Sequence, residues 1–171
     1  MNTPITLRFL FAAATLFVFG QTARAQDAAP SKATVTFENP ERFTDVKDSI
    51  SGTDKGRDHY LKLIRMAVEE QAKALLPAGQ KLAITFTDID LAGDYLPSMA
   101  ANQDIRVMKD IYMPRMKFTY AITDEAGAVV KEGTENLSDV NYLQNIGIVG
   151  RNDPLYHDLT MLRDWLRKTL K

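Results

Sequence analysis

Three aspartates close together, Asp88, Asp90 and Asp94, have the clearest capacity for chemistry in this sequence. Carboxylate oxygens are the ligands that calcium and magnesium prefer. The EF-hand pattern nevertheless fails, because its fifth position would be Ala92 and its twelfth Met99, where an acid is required. Ion pairing or turn capping is therefore the leading interpretation, and a metal site or another ligand site are the alternatives.

The position of these aspartates on a strand creates a physical problem. In an unbroken strand Asp88 and Asp90 would share a face with Leu82, Ile84 and Phe86, because side chains repeat every two residues. Two carboxylates cannot lie dry and unpaired in a core. The strand must bend at Asp88, or the carboxylates must bind a cation or a basic side chain. The basic side chains considered are Arg106, Lys109 and Arg115.

The segment 106–117 mixes cationic, aromatic and methionine side chains. Tyr, Met and Arg are enriched in the cores of protein interfaces, so one hypothesis is a partner-binding surface. The alternative is a loop that packs its apolar residues under the sheet. Together the two segments define the candidate ligand or partner site: Asp88, Asp90, Asp94, Arg106, Lys109, Asp110, Tyr112 and Arg115.

Other catalytic signatures are missing from the sequence. It has no cysteine, and its two histidines, His59 and His157, stand in no metal-binding spacing and no recognisable triad. No G-x-S-x-G, S-x-x-K, H-E-x-x-H or phosphate-binding glycine loop occurs. We therefore assign no catalytic residue, metal ligand or cofactor, and a binding role is favoured over an enzymatic one.

The first 25 residues match a cleavable secretory signal peptide. Arg8 supplies the positive start, an uncharged run of 11 residues spans 9–19, and Ala23 and Ala25 occupy the positions that signal peptidase reads. The run is shorter than the ~20 apolar residues that cross a bilayer. We predict cleavage before Gln26, a product without a transmembrane segment, and a periplasmic or secreted location.

Composition limits the organisation of the remaining 146 residues. This length is typical of one domain, and we predict a mobile tether over 26–33 followed by a single domain over 34–171. Removing the two arginines of residues 1–25 changes the formal net charge from −1 to −3. Nucleic-acid binders usually carry a basic excess, so nucleic acid is excluded as a partner. The oligomeric state is left open.

Hydrophobic periodicity predicts the elements that position the candidate site. Strands are expected at 34–37, 81–91 and 115–123, with a return strand at 128–137 that completes a hairpin. Helices are expected over 57–76 and from Asp153-Pro154 onwards. This order predicts an α+β fold: a two-layer sandwich with a mainly antiparallel sheet, a late β-hairpin and two main helices.

Several segments together resemble a family of bacterial secreted proteins. The segments are 35–40 (VTFENP) with 43–45 (FTD), 76–80 (LPAGQ), 87–93 (TDIDLAG) and 107–112 (VMKDIY) with Pro114-Arg115. The chain resembles Domain of Unknown Function 3016 (DUF3016) over nearly the whole mature part. The resemblance implies export in Gram-negative bacteria, and it carries over no activity and no catalytic residue.

The functional hypothesis follows from export and from the missing catalytic patterns. The sequence favours a non-catalytic protein of the cell envelope that binds a partner protein or a small ligand. The alternative is a metal-dependent or carboxylate-based activity centred on Asp88, Asp90 and Asp94.

Overall fold

The structure is a computed structural model and describes residues 31–96, 105–144 and 153–171. The predicted signal peptide and residues 26–30 of the predicted tether lie outside these ranges. The elements, in chain order, are β1 (Ala33–Phe37), a 3-10 helix (Pro40–Arg42), α1 (Asp54–Leu75), β2 (Lys81–Asp90), β3 (Asp94–Tyr95), β4 (Arg106–Val107), β5 (Arg115–Thr123), β6 (Val129–Ser138) and α2 (Tyr156–Thr169).

Four strands form the main sheet in the order β1-β2-β5-β6. β1 is parallel to β2, and α1 lies in the connection between them, whereas β2 with β5 and β5 with β6 are antiparallel. β5 and β6 form the predicted hairpin, and Asp124 closes its turn by accepting the N–H of Gly127 at 3.1 Å. The predicted α+β class with a mainly antiparallel sheet is confirmed.

The helix α1 begins at a local cap, which accepts a hydrogen bond from a backbone N–H group of the first turn. Thr53 Oγ1 accepts the N–H of Gly56 at 2.9 Å, and the Asp48 carboxylate accepts the N–H and hydroxyl of Thr53 at 2.9 and 2.8 Å. The helix therefore starts at Asp54, three residues before the predicted start at Arg57. No helix in the described ranges has the length and apolarity needed to cross a membrane.

Both helices pack against one face of the sheet. Apolar side chains of β2 and β5 point to this face, where Trp165 of α2 stacks edge-on against Phe118 with ring centroids 4.7 Å apart. Phe86 lies beside Phe118 at 5.2 Å, and both phenylalanines are fully buried. Burying each such side chain contributes roughly 1.5–3 kcal/mol, so this layer provides most of the folding free energy.

A β-bulge in β2 resolves the problem of Asp88. The register with β5 shifts between Phe86 and Asp88, leaving Thr87 as the extra residue. After the bulge Ile89 takes the next core position and is fully buried. Of the three expected solutions, a bend, a basic partner and a bound cation, the strand uses the bend. Asp88 also accepts hydrogen bonds on the other face from Thr44 and from Lys117, which was not among the basic side chains considered.

Candidate binding surface

The face of the sheet opposite the helices carries a row of four threonines, one from each strand. Thr36 pairs with Thr85, Thr85 with Thr119, and Thr119 with Thr134. Three of these side chains are exposed and that of Thr85 is partly exposed. We call this surface the open face. Its threonine row presents neighbouring hydroxyls about 5 Å apart, the usual spacing between strands.

A shallow groove of about 640 Å³ runs over the open face. It is lined by Thr85, Thr119 and Thr134 of the threonine row, by small Ala83 and Ala121, and by Glu132 at the β6 side. Each hydroxyl can donate one hydrogen bond and accept two. The groove therefore suits a polar, extended ligand or a polar protein surface.

Asp88 lies at the end of this face, in a second groove of about 450 Å³ that Arg42 and Thr87 also line. Its carboxylate accepts the N–H of Thr44 at 2.9 Å, the Thr44 hydroxyl at 3.1 Å and Lys117 Nζ at 3.2 Å. Burial acts to raise the pKa of Asp88, but the hydrogen bonds from Thr44 and Lys117 outweigh it and lower the pKa. Asp88 is therefore an ionised carboxylate in which both oxygens accept hydrogen bonds.

Asp90 lies on the same strand in a different electrostatic setting. It faces Arg115 across the β2–β5 ladder, and it forms an isolated parallel bridge with Asp45. Burial, followed by the negative charge of Asp45, raises the pKa of Asp90, and Arg115 opposes this shift. Two of the candidate residues, Asp90 and Arg115, are thus cross-strand neighbours, and Arg115 is one of the three basic side chains considered as partners.

Arg106 forms a buried ion pair that holds the small β3–β4 sheet in place. Its guanidinium contacts the Asp45 carboxylate twice, at 2.9 and 3.3 Å, and donates to the carbonyls of Gly93 and Lys47 at 2.9 and 3.0 Å. It also lies over the Tyr95 ring, 4.8 Å from the centroid. The Arg106 and Asp45 side chains are only 11% and 10% exposed, so Arg106 has a structural role.

The remaining candidate residues do not converge on one point. Asp94 accepts the N–H of Tyr95 at 2.7 Å, and Asp110 is exposed on the loop before β5. The backbones of Lys109 and Tyr112 stabilise that loop: the Lys109 carbonyl accepts Tyr112 N–H at 2.8 Å, and the Tyr112 carbonyl accepts Gly93 N–H at 2.9 Å. The loop 109–112 is therefore held by backbone hydrogen bonds, and its candidate side chains are not arranged together with Asp94 around one point.

Asp158, in the first turn of α2, was not singled out in the sequence. It is 1% exposed; its Oδ1 accepts the N–H of Ala92 at 3.0 Å, and no described group hydrogen-bonds to its Oδ2. Burial raises its pKa to about 7, although the Ala92 hydrogen bond and the charge of Arg106 act in the opposite direction. A polar residue on the apolar face of the predicted helix was the signal that could have revealed it.

Asp45 was also not singled out in the sequence, where it belongs to a group of acidic residues around the start of α1: Asp45, Asp48, Asp54 and Asp58. Only Asp48 of that group holds the cap residue Thr53, whereas Asp45 is turned inward to Arg106. The threonine row was visible as alternation in single strands, but its alignment across strands required the register. The spacing of residues along the chain contains no information about the Asp45–Arg106 ion pair or about the alignment of the threonines across the strands.

The chemistry available on the open face is hydrogen bonding. Among residues 31–96, 105–144 and 153–171, no group of three or more His, Cys, Asp or Glu side chains could hold a metal ion.

His157 packs edge-on against Tyr142 with ring centroids 4.9 Å apart, and burial lowers its pKa. His59 lies beside the Tyr60 ring at the solvent-exposed start of α1.

Comparison with known proteins supports the resemblance and adds no activity. A family model described as Protein of unknown function (DUF3016) matches residues 31–168. Searches of the curated proteins and of the solved structures each found no significant match. The match covers every element from β1 to nearly the end of α2.

Proposed function

Because the chain belongs to the family of unknown function DUF3016, which assigns no activity, we propose from its geometry that it is a non-catalytic binding protein of the cell envelope. The open face is the proposed contact surface. The observation that carries this proposal is the threonine row Thr36, Thr85, Thr119 and Thr134, which lies across all four strands on the face that the helices leave uncovered.

The composition of the two sheet faces supports a binding role. A sheet that only needs solubility can place any polar residue outward, whereas this face repeats a short hydroxyl side chain at four aligned positions. Small Ala83 and Ala121 in the neighbouring row keep the surface low, so that a ligand can reach the hydroxyls. Lys117 and Arg42 beside Asp88 add charged groups at one end.

Export is the second component of the proposal. The charged start, apolar run and small residues of segment 1–25 support a signal peptide, and cleavage would leave Gln26 as the first residue. We expect the intact mass of the protein recovered from the cell envelope to correspond to residues 26–171. Fractionation of cells and medium then distinguishes a periplasmic protein from a secreted one.

In-cell photo-crosslinking tests the binding surface directly. A photoreactive amino acid is placed at Thr119 or Thr134 on the open face, and at the exposed α1 positions Lys62 or Met66 as controls. We expect the same adduct from both open-face positions and none from α1, with the partner or ligand identified by mass spectrometry. Equal adduct yields from both surfaces, or no adduct from Thr119 and Thr134, would reject the open face as the site.

A catalytic role centred on the aspartates gains no support from their arrangement. Asp88, Asp90 and Asp94 each have a separate set of partners. Titration with calcium or magnesium, followed by a thermal shift, is the direct check. Turnover of an envelope substrate that is lost in Asp88→Asn would contradict the binding proposal.

A further inference from the structure

The two edges of the main sheet are finished differently. At the β1 edge Arg65 of α1 donates to the Val35 carbonyl at 2.8 Å, and its guanidinium lies 5.4 Å from the centre of the Phe37 ring. This side chain occupies a backbone acceptor that another strand would need. Exposed edges are templates for pairing with a further strand, and such a cover is a common protection.

The β6 edge is twice as long and has no comparable cover among the described residues. Val129 and Val130 are 54% and 52% exposed near its start. Lys131 donates to the Thr169 carbonyl of α2 at 3.1 Å, yet its side chain stays exposed and retains two further N–H groups for another partner. Within residues 31–96, 105–144 and 153–171, the backbone groups on the outer side of β6 are therefore left open to an added strand.

The charge pattern of β6 selects one self-pairing register. In a two-fold antiparallel pair, opposed residues lie on the same face, so the axis passes between two copies of one residue. Centring on Glu132 opposes two like charges, and centring on Thr134 places Lys131 opposite an apolar residue. Centring on Gly133 places Lys131 opposite Glu135 of the second copy, and symmetry repeats this ion pair.

The centre of this register carries no side chain of β6 itself. Gly133 has no side chain, and the Tyr120 ring already lies over it, since a Cβ at this position would stand 3.0 Å from that ring. Two copies can therefore bring their strands together at Gly133 without side-chain conflict at the axis. Charged edge residues usually prevent indiscriminate pairing, and here they favour one alignment.

We propose that the protein forms a homodimer by antiparallel pairing of β6 with β6 of a second copy, centred on Gly133. The result is a continuous sheet of eight strands in which two Lys131–Glu135 pairs link the copies. The inference does not rest on the proposed function, because the edge and the open face are different surfaces. Dimerisation would join the two open faces into one longer surface.

Sedimentation equilibrium of the processed protein over a range of concentrations tests the dimer. We expect a monomer–dimer equilibrium. Glu135→Lys opposes like charges at both pairs and should raise the dissociation constant at least about tenfold. The charge swap Lys131→Glu with Glu135→Lys restores opposite charges and should return the constant to within about threefold of the original.

Glu132→Lys is the matched control, because it makes the same charge change one residue away but lies opposite Thr134 in the proposed register. It should alter the dissociation constant by less than about threefold. Circular dichroism spectra and melting curves verify that each variant is folded. A monomer at all concentrations, equal effects of Glu132→Lys and Glu135→Lys, or failure of the charge swap to restore association would each overturn the proposal.

Discussion

The two faces of the main sheet are formed by the same strands but differ in burial. On the helix-covered face β5 presents Met116 and Phe118, both fully buried beneath the helices. On the open face the residues between and after them, Lys117 and Thr119, are exposed. Adjacent residues of one strand thus differ completely in environment, because successive side chains point to opposite sides.

Because of this difference, residues that stabilise the fold and residues proposed to contact a partner alternate along one strand and can be substituted separately. Substitutions on the covered face remove buried contacts and should lower the free energy of unfolding. Substitutions on the open face remove only solvated side chains and should alter binding alone. Two buried carboxyl groups also differ from each other: Asp45 is paired with Arg106, whereas no described group hydrogen-bonds to Asp158 Oδ2.

The largest expected effect is that of Phe118→Ala. The ring contacts Phe86 and Trp165, and its removal leaves a cavity at the centre of the covered layer. We expect the free energy of unfolding to fall by about 4 kcal/mol, measured by chemical denaturation. A loss below about 1 kcal/mol would mean that this face is not the principal core.

Arg106→Met tests the buried ion pair at the end of the covered layer. The methionine preserves much of the packing but leaves the Asp45 carboxylate buried without its cation. We expect a loss of about 3 kcal/mol in the free energy of unfolding. The double variant Asp45→Leu with Arg106→Met should be more stable than Arg106→Met alone, and an equal or lower stability would contradict this explanation.

Asp158→Asn tests the second buried carboxyl. Burial raises the pKa of Asp158 from 3.8 to about 7, so the folded state binds its proton more tightly than the unfolded state. The resulting stability is complete below pH 4 and is lost as the pH rises through 7. We expect Asp158→Asn to be more stable than the original protein at pH 8 by on the order of 2 kcal/mol, with a smaller difference at pH 5.

Denaturation curves of both proteins at pH 5 and pH 8 measure this effect. The difference between the two proteins isolates Asp158 from other titrating groups. An identical pH dependence in the original protein and in Asp158→Asn would show that the carboxyl does not titrate in the folded state over this range.

The smallest effect on stability is expected from Thr119→Val on the open face. Valine has the same shape and suits a strand, so the free energy of unfolding should change by no more than about 0.5 kcal/mol. The loss of one hydroxyl from the threonine row should nevertheless reduce the yield of the Thr134 photo-crosslink. A large loss of stability would show that Thr119 makes contacts that stabilise the fold. The open face would then not differ from the covered face in the way described above.

Local patterns were sufficient where each residue's role depends on its neighbours in the chain. The limits of β5, Arg115–Thr123, agree with the predicted strand because its alternation is unbroken. The start of α1 was misplaced because its cap depends on Asp48, which reaches Thr53 from outside the periodic segment. The bulge at Thr87 corresponds to the bend at Asp88 that was one of the expected alternatives, but the sequence did not decide between that bend and the acquisition of partners.

The candidate site shows the same division. The sequence analysis named Asp88, Asp90 and Arg115, and the β2–β5 ladder places the last two opposite each other, a pairing that the sequence had left open among three basic residues. The sequence did not indicate that Arg106 forms an ion pair with Asp45, which lies 61 positions away in the chain. Such pairs are decided by which segments the fold places side by side.

By itself the sequence determined the α+β class and membership of the DUF3016 family, and it predicts an export signal, because these depend on composition, periodicity and motifs along the chain. Only the tertiary structure decided which threonines align and which carboxylates are buried. It also decided which edge stays open. The reason is that strand register and helix packing join residues that are distant in sequence, and no local pattern records those neighbours.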